Sequence, residues 1–411
     1  MTKLESSVGT RRHPPPWIFA FAGTSYGVAG AFIGQIMPSL TEDAGVPRDR
    51  TGLFTTLLFI PAALQFLYAP IVDVGPPRRK WLVIVSILSA LCLIGAFAMP
   101  LPDHLHAFLA FGFVAQILAA LISACAGGLL AVTMPDEKRG AASAWYNVGN
   151  LSGGGIAGAV AIYLSGEGTP PIVIGCLLAM MLISPALAIL LVYEPPRDNI
   201  RTLGEVFGQT TRDVAKVLFS KSGLTGIALC ISPVGTAALT NFFSGMKKDF
   251  HATPAMAAFV SGGASVVVTA IGALVGGYLC DRYNRRAMYL LSGLLTAICG
   301  ILLATTEHTP TSYLVLVTVY NLVTGFCYSS FTATVLETIG DAGKAASTQY
   351  ALFVSAGNIA IAYVGLVNTQ FTHLDDSFFS DAALNIAGVA ILSIAFWRLG
   401  SFGKRHPGKP A

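Results

Sequence analysis

The chain alternates twelve long apolar runs with short polar breaks, the runs falling near residues 17–40, 51–72, 81–99, 105–133, 141–165, 170–193, 223–244, 253–280, 287–305, 312–336, 344–367 and 382–398. Each approaches the roughly 20 residues a helix needs to cross a bilayer, where no backbone N–H or C=O can be left unpaired. Most connections are short. The sixth and seventh runs, however, are parted by EPPRDNIRTLGEVFGQTTRDVAKVLFSKSG, a linker's length of polar and amphipathic sequence. The pattern predicts an all-α integral membrane protein of twelve transmembrane helices: one six-helix bundle over 1–195, a cytoplasmic linker over 196–222 and a second bundle over 223–411.

The two halves repeat one another. The second run ends YAPIVDVGPPRRKW and the eighth GGYLCDRYNRRAMY, so an acid followed by paired arginines occurs as Asp73 with Arg78 and Arg79, then as Asp281 with Arg285 and Arg286. The fifth run opens RGAASAWYNVGN and the eleventh GKAASTQYALFV, sharing Ala-Ala-Ser-x-x-Tyr at 141–146 and 345–350. Matched phrases in one relative order imply two pseudo-symmetric bundles around a cavity at the membrane midplane.

Charge sharpens the picture. Only 11% of residues are charged and 54% are hydrophobic, against about 25% charged in soluble domains, which excludes a soluble enzyme. A net charge of +4 is too small to suggest a nucleic-acid partner. With the amino terminus cytoplasmic, only Arg48, Arg50, Lys247 and Lys248 of the 25 Lys and Arg fall outside. The positive-inside rule therefore puts both termini in the cytoplasm of a multi-pass cell-membrane protein, with a bacterial inner membrane as the expected location. The polar start MTKLESSVGTRRHPPP leads into a long apolar run without a small-residue cleavage site, so it reads as a retained membrane helix rather than a signal peptide. Seven cysteines lie in or beside apolar runs without metal-binding spacing, and no nucleophile, phosphate-loop or zinc-protease motif occurs; no cofactor, metal or enzymatic activity is expected. All charged residues and all seven histidines map to loops or helix ends, an expectation of a bundle without a deeply buried proton carrier.

At its repeated phrases the chain resembles the major facilitator superfamily over its whole length. Gly277-x-x-x-Asp281-Arg282-x-x-Arg285-Arg286 is similar to that superfamily's loop signature. The first copy departs from it, with Ala69 for the glycine, Val74 for the first arginine and one residue inserted at Pro76-Pro77. Within the superfamily, TGLFTTLLFIPAALQFLYAPIVD through RRKWLV and PDEKRGAASAWYNVGNLSGGGIAG resemble the AmpG-type muropeptide permeases and the related acetyl-CoA transporter branch. The acid expected near the end of the fourth helix in that branch is absent, where Gly127-Gly128-Leu129-Leu130-Ala131 stands. The resemblance implies that Asp73 meets the start of the eleventh helix and Asp281 the start of the fifth, latching the cytoplasmic side. A carboxylate facing a helix amino terminus gains roughly 0.3–2 kcal/mol. Glu337 can join this latch by pairing with Arg282 or Arg286, and the gating set is Asp73, Arg78, Arg79, Asp281, Arg282, Arg285, Arg286 and Glu337.

With no charge expected in the interior, recognition falls to neutral polar side chains. Asn321, Thr324 and Tyr328 share one face of the tenth run, and Ser232, Thr236 and Thr240 one face of the seventh; Tyr26 and Gln35 lie on the first and Gln116 on the fourth. The resemblance implies that these four helices line the cavity, so Asn321, Thr324, Tyr328, Thr236, Thr240, Gln35, Tyr26 and Gln116 are the candidate solute-binding residues. Such groups also act as interhelical hydrogen-bonding glue. Pro233 and Gly235 are placed to break the seventh helix, while the glycines of the fifth and eighth runs, including Gly154-x-x-x-Gly158 and Gly272-x-x-x-Gly276, favour close helix packing. The function expected is secondary active transport of a small or medium organic solute by alternating access, by a monomer, in an AmpG-like, proton-linked uptake. Efflux of lipophilic compounds and a non-transporting membrane sensor are the alternatives.

Overall fold

A computed structural model of the chain describes residues 13–37, 48–195, 221–241, 264–339, 346–368 and 373–398, with isolated positions between them. Most of the linker falls outside. Among the described residues the fold is all-helical. The first half comprises α1 (Phe19–Ala31), α2 (Arg48–Ala63), α3 (Arg78–Phe97), α4 (Leu105–Thr133), α5 (Arg139–Gly166) and α6 (Pro171–Ala188); the second comprises α7 (Lys221–Ile231), α8 (Ala264–Arg282), α9 (Arg285–Thr305), α10 (Pro310–Ile339), α11 (Ala346–Asn368) and α12 (Leu374–Arg398). Ten of the helical stretches are long and apolar enough to cross a membrane. Their outward faces carry Leu91, Met180, Leu191, Ile391 and Trp397, all exposed as lipid-facing side chains are.

The two shorter segments, α2 and α7, are broken ones. After Ala63 the second run continues as short 3-10 turns, Gln65–Leu67 and Ala69–Asp73, where Pro70 has no N–H to continue an α-helical ladder. The seventh run was expected to be helical over 223–244 but stops at Ile231, ahead of Pro233. Gly235 then takes a φ of +64° and Ala237 one of +53°, and a short 3-10 turn follows over Ala238–Asn241. The twelfth helix corrects the sequence reading in the other direction: it begins at Leu374, eight residues before the expected 382. LDDSFFSD reads as a polar loop, yet Asp375 and Asp376 sit in the first turn, where acids suit the helix dipole. The extension brings Asp381 inside the helix and fully buries it, against the expectation that every charge lies at a helix end.

Helix starts carry their own signals. Asn284 caps α9 by accepting from the Ala287 amide at 3.1 Å, and Pro171 opens α6 at a position where its missing N–H costs nothing. Glycines set the closest packing. A Cβ on Gly27 would lie 1.9 Å from the Asn150 carbonyl oxygen, so α1 and α5 meet backbone to backbone; one on Gly272 would meet Leu322 O at 1.9 Å, so α8 meets α10 the same way. The Gly-rich α5 and α8 thus each make a close seam within their own half.

Candidate functional site

Between the halves lies a cavity of about 360 Å³, lined from the first half by α1, α2, α4 and α5 and from the second by the α7 break, α9, α10 and α11. Among the described residues no Lys, Arg, His, Asp or Glu lines it; amides, hydroxyls and aromatic rings do. On α1 the helix widens into a single π-helical turn over Phe32–Ile36, a local irregularity common at functional positions. This turn carries Gln35, whose Oε1 lies 1.8 Å from where a Cβ on Gly158 would stand, so the glycine makes room for the carboxamide.

Five polar side chains of the wall, Tyr26, Gln35, Asn150, Thr236 and Tyr328, make no hydrogen bond to protein among the described residues. The Thr236 hydroxyl is wholly buried in the α7 break. Other wall groups are already engaged. Asn147 donates from Nδ2 to Ser143 O (2.9 Å), Tyr328 O (3.2 Å) and Thr332 Oγ1 (3.0 Å), tying α5 to α10 beneath the cavity. Asn358 donates to Ala62 O at 3.0 Å, and Tyr289 donates to Val234 O at 2.6 Å, holding one of the carbonyls that the α7 break leaves without a helical partner.

Of the eight expected solute-binding residues, the structure gathers Tyr26, Gln35, Thr236 and Tyr328 in the wall and places Asn321, Thr324, Thr240 and Gln116 outside it. Gln116 donates to Ala29 O at 2.9 Å, bonding α4 to α1. Thr324 bonds back to Tyr320 O at 2.9 Å, and Asn321 is buried away from the cavity. Thr240 bonds to Ala237 O at 2.7 Å, because the end of α7 at Ile231 dissolves the face it was expected to share with Ser232 and Thr236. Sequence reasoning missed Tyr146, Tyr350, Asn147, Asn150 and Asn358. The repeated Ala-Ala-Ser-x-x-Tyr phrase was the available signal, since its tyrosines, Tyr146 and Tyr350, line the cavity from opposite halves. Tyr350 also lies across Gly127, where an added Cβ would stand 2.0 Å from its ring. At the position where the AmpG-type branch would have led to an acid, this chain has a glycine under an aromatic ring.

The arginines gather at one end of the bundle, here the basic end. Asp281 accepts from the Gly140 amide at 2.7 Å and the Ala141 amide at 2.8 Å, capping α5 across the two halves. Arg285, buried beside it, stands 3.9 Å from both Asp281 and Glu337 and donates to the Asp136 carbonyl. Glu337 also faces Arg286 at 3.9 Å, whereas Arg282 lies over the Tyr278 ring at 4.3 Å. Arg139 pairs with Asp136 and reaches Leu336 O at 3.5 Å. In the first half, Arg78 holds Asp73 at 2.7 Å and Glu194 at 3.5 Å, and Arg79 donates to Val192 O at 2.9 Å. Lys344 and Ala345, the expected start of the eleventh helix and partner of Asp73, lie outside the described residues. Glu194, Asp136 and Arg139 were not foreseen. Among the described residues no group of three or more His, Cys, Asp or Glu could hold a metal ion.

Known proteins agree with this architecture. Solved structures similar to the chain include the transporter FucP of E. coli in the outward conformation (TM-score 0.71, 13% identity, 92% of this chain and 98% of that one). Others are the proton:xylose symporter XylE bound to 6-bromo-6-deoxy-D-glucose (0.68, 13%, 93% and 94%) and the human organic anion transporter MFSD10 (0.70, 15%, 92% and 100%). At such identities the likeness is one of fold. The sequence profile of the Major Facilitator Superfamily matches residues 19–365 and, a second time, 225–407. The chain therefore belongs to the Major Facilitator Superfamily and is a multi-pass membrane protein of the secondary-transporter class.

Proposed function

We propose that the chain carries a small neutral solute rich in hydroxyl or amide groups, of about monosaccharide size, in proton-linked uptake. The observation that carries this reading is the set of unpartnered polar side chains in an uncharged wall: Tyr26, Gln35, Asn150, Thr236 and Tyr328. Thr236 is the buried one of the five; a buried polar group without a partner costs about 1–3 kcal/mol, which a solute hydroxyl or amide placed beside it would offset. The cavity stands at the small end of ligand sites, which run from about 300 to 1,000 Å³. A wall without cations gives an organic anion nothing to pair with. The sugar named in the XylE structure and the fucose:proton symport named for FucP add support from proteins of the same fold.

In this reading the basic end faces the cytoplasm of a bacterial cell, 196–222 tethers the two bundles, and Asp281 with Arg285 and Glu337 latches that end while the cavity faces outward. In support, the hydrogen bonds that cross between halves, such as Ser143 Oγ to Ser329 O at 3.1 Å and Gln65 Nε2 to Ala351 O at 3.3 Å, lie between the basic end and the cavity. The test is a thermal-shift and binding screen of the purified protein against neutral monosaccharides and polyols, N-acetylated amino sugars, muropeptides, acyl-CoA esters and lipophilic drugs. Saturable stabilisation by a neutral sugar-sized compound, weakened by Thr236→Val and Gln35→Leu, is the expected result. Stabilisation by lipophilic drugs alone would replace this reading with efflux.

A further inference from the structure

The second half contains a buried carboxylate that the cavity does not use. Asp381 is fully buried in α12, two turns from the helix start and three residues on from Phe378, whose ring packs with Phe250. It accepts from Tyr320 OH at 3.3 Å and from Asn368 Nδ2 at 3.0 Å. Both donors are neutral, and no cation among the described residues pairs with it. The titratable groups facing it are Tyr320 and Cys327 on α10 and Cys299 on α9, all uncharged as acids. On its own helix, Asp375 lies near the surface and is paired with His308 at 3.2 Å. A second feature points to a missing charge partner: Asn368, itself 2% exposed, has its Oδ1 buried without any hydrogen-bond donor while its Nδ2 faces the carboxylate. A carboxylate and an orphaned carbonyl oxygen together present acceptors and lack a positive charge. An ionisable group so placed within a membrane bundle is costly and normally functional.

The same helix face leads to the cavity. One turn below, Asn385 donates from Nδ2 to the Asp381 carbonyl at 2.9 Å and accepts at Oδ1 from the Gly235 amide at 2.9 Å. Gly235 lies in the α7 break, carries the positive φ and lines the cavity beside Thr236. Tyr320, the other partner of Asp381, stacks edge-on against Phe243 from the segment beyond the break, with centroids 5.1 Å apart. The carboxylate is therefore tied through Tyr320 to the segment beyond the interruption, and the α12 backbone beneath it through Asn385 to Gly235.

The geometry points to Asp381 as a proton-binding site that, through Tyr320, sets the state of the segment beyond the α7 break. A proton on Asp381 supplies the absent charge. The amide of Asn368 then turns so that its orphaned oxygen accepts the new O–H, and the hydrogen bond from Tyr320 to an ionised oxygen weakens. No bond other than O–H forms or breaks, and the proton comes from water. This inference rests on the proton-linked transport reading for its purpose, but its test involves no solute, so either can fail alone.

The experiment is pH-difference infrared spectroscopy on the full-length purified protein, with hydrogen exchange of the segment around residues 234–241 measured at matched intrinsic rates. A protonated Asp381 gives a carboxylic C=O band that appears with falling pH, shifts in D2O and is lost in Asp381→Asn. Exchange around 234–241 should change over the same pH interval in the natural sequence and be pH-independent in the variant. Asp381→Glu, which keeps the acid, should retain a displaced band should the asparagine variant fold poorly. A spectrum with no band dependent on residue 381 at any pH would overturn the site, and a band without a change in exchange would overturn its link to α7. A band abolished by sodium but not by choline would make this a sodium site instead.

Discussion

Replacing Asp281 by asparagine should open the basic end. Its carboxylate accepts two hydrogen bonds from the first amides of α5, at 2.7 and 2.8 Å, across the boundary between the halves. Hydrogen bonds to charged groups are worth about 1.5–3 kcal/mol each, and the charge gains about 0.3–2 kcal/mol more from the helix start. Asparagine keeps the shape and one acceptor oxygen but turns its NH2 toward the second amide. It also leaves Arg285 buried with Glu337 as its remaining carboxylate, at 3.9 Å. A net loss of about 2 kcal/mol in the closed arrangement is a shift of about 30-fold in its population, since 1.4 kcal/mol is tenfold. Gly140 permits the close approach, since a Cβ there would lie 2.3 Å from Asp281 Oδ1. Spin labels at Lys138→Cys and Tyr283→Cys, both exposed and on opposite sides of the latch, read the separation directly, after replacement of Cys92 and Cys176, the cysteines that are not buried. A longer second distance population should appear in Asp281→Asn with little change in melting temperature. An unchanged distribution would mean that the carboxylate only caps a helix, and the gating role would be lost.

Three further outcomes follow from the packing. Gly27→Ala and Gly272→Ala force a Cβ to 1.9 Å from a carbonyl oxygen and should cost at least the 1–3 kcal/mol of an overpacked core. Gly30→Ala and Gly34→Ala, with nothing within 4 Å, should melt like the natural protein; a similar loss in all four would remove the seam argument. Asn321→Ala should lower the melting temperature and leave solute affinity alone, while Thr236→Val lowers affinity by roughly 5- to 140-fold for a lost hydrogen bond of 1–3 kcal/mol; binding isotherms and melting curves on one preparation separate the two. Glu194→Gln weakens one of two carboxylate contacts of the buried Arg78, which keeps Asp73 at 2.7 Å, and should destabilise the first bundle by about 1.5–3 kcal/mol, seen as a lower melting temperature with no change in the distance across the Asp281 latch.

The helices were legible because their apolar lengths exceed any alternative, and the duplicated phrases revealed the two-fold plan. Tyr26, Gln35, Thr236 and Tyr328 could be placed near the cavity because they are neutral polar groups deep in long apolar runs. Asn321 lies outside the wall although it is within about 20° of the face of Tyr328, because seven residues also carry it about 10 Å along the helix. Thr240 failed because a proline and a glycine end the helix whose periodicity it was read from. Asp381 was hidden by composition: three aspartates and two serines in eight residues look like a loop. Only the backbone shows that two of those aspartates sit in the helix's first turn while the third is carried inside. The packing of Tyr350 over Gly127 joins positions 223 residues apart, beyond any local pattern.

A conflict between two electrostatic demands explains why carboxylates collect at the basic end. Topology favours arginine at the basic-end connections, and these are also where α3, α5 and α9 begin: Arg78, Arg139 and Arg285 are their first residues. A helix start is the positive end of its dipole, so each arginine is in the unfavourable place. Each is also nearly fully buried, which makes an unpaired charge costlier still. The local sequence does not relieve α3, whose first turn has no acid. Relief comes instead from distant groups: Glu194 accepts from the Arg79 amide at 3.2 Å and pairs with Arg78, and Asp281 accepts from the first amides of α5. The difference between these caps is what each one spans. Glu194 joins α3 to the end of the sixth segment within one half and stabilises a bundle, whereas Asp281 joins α8 to α5 across the halves. An interaction that a helix start requires is thereby supplied by the opposite bundle, so separating the halves at this end uncaps α5 and exposes a charge that was paired. In the proposed latch, the stability of a helix and the closure of the basic end share one carboxylate.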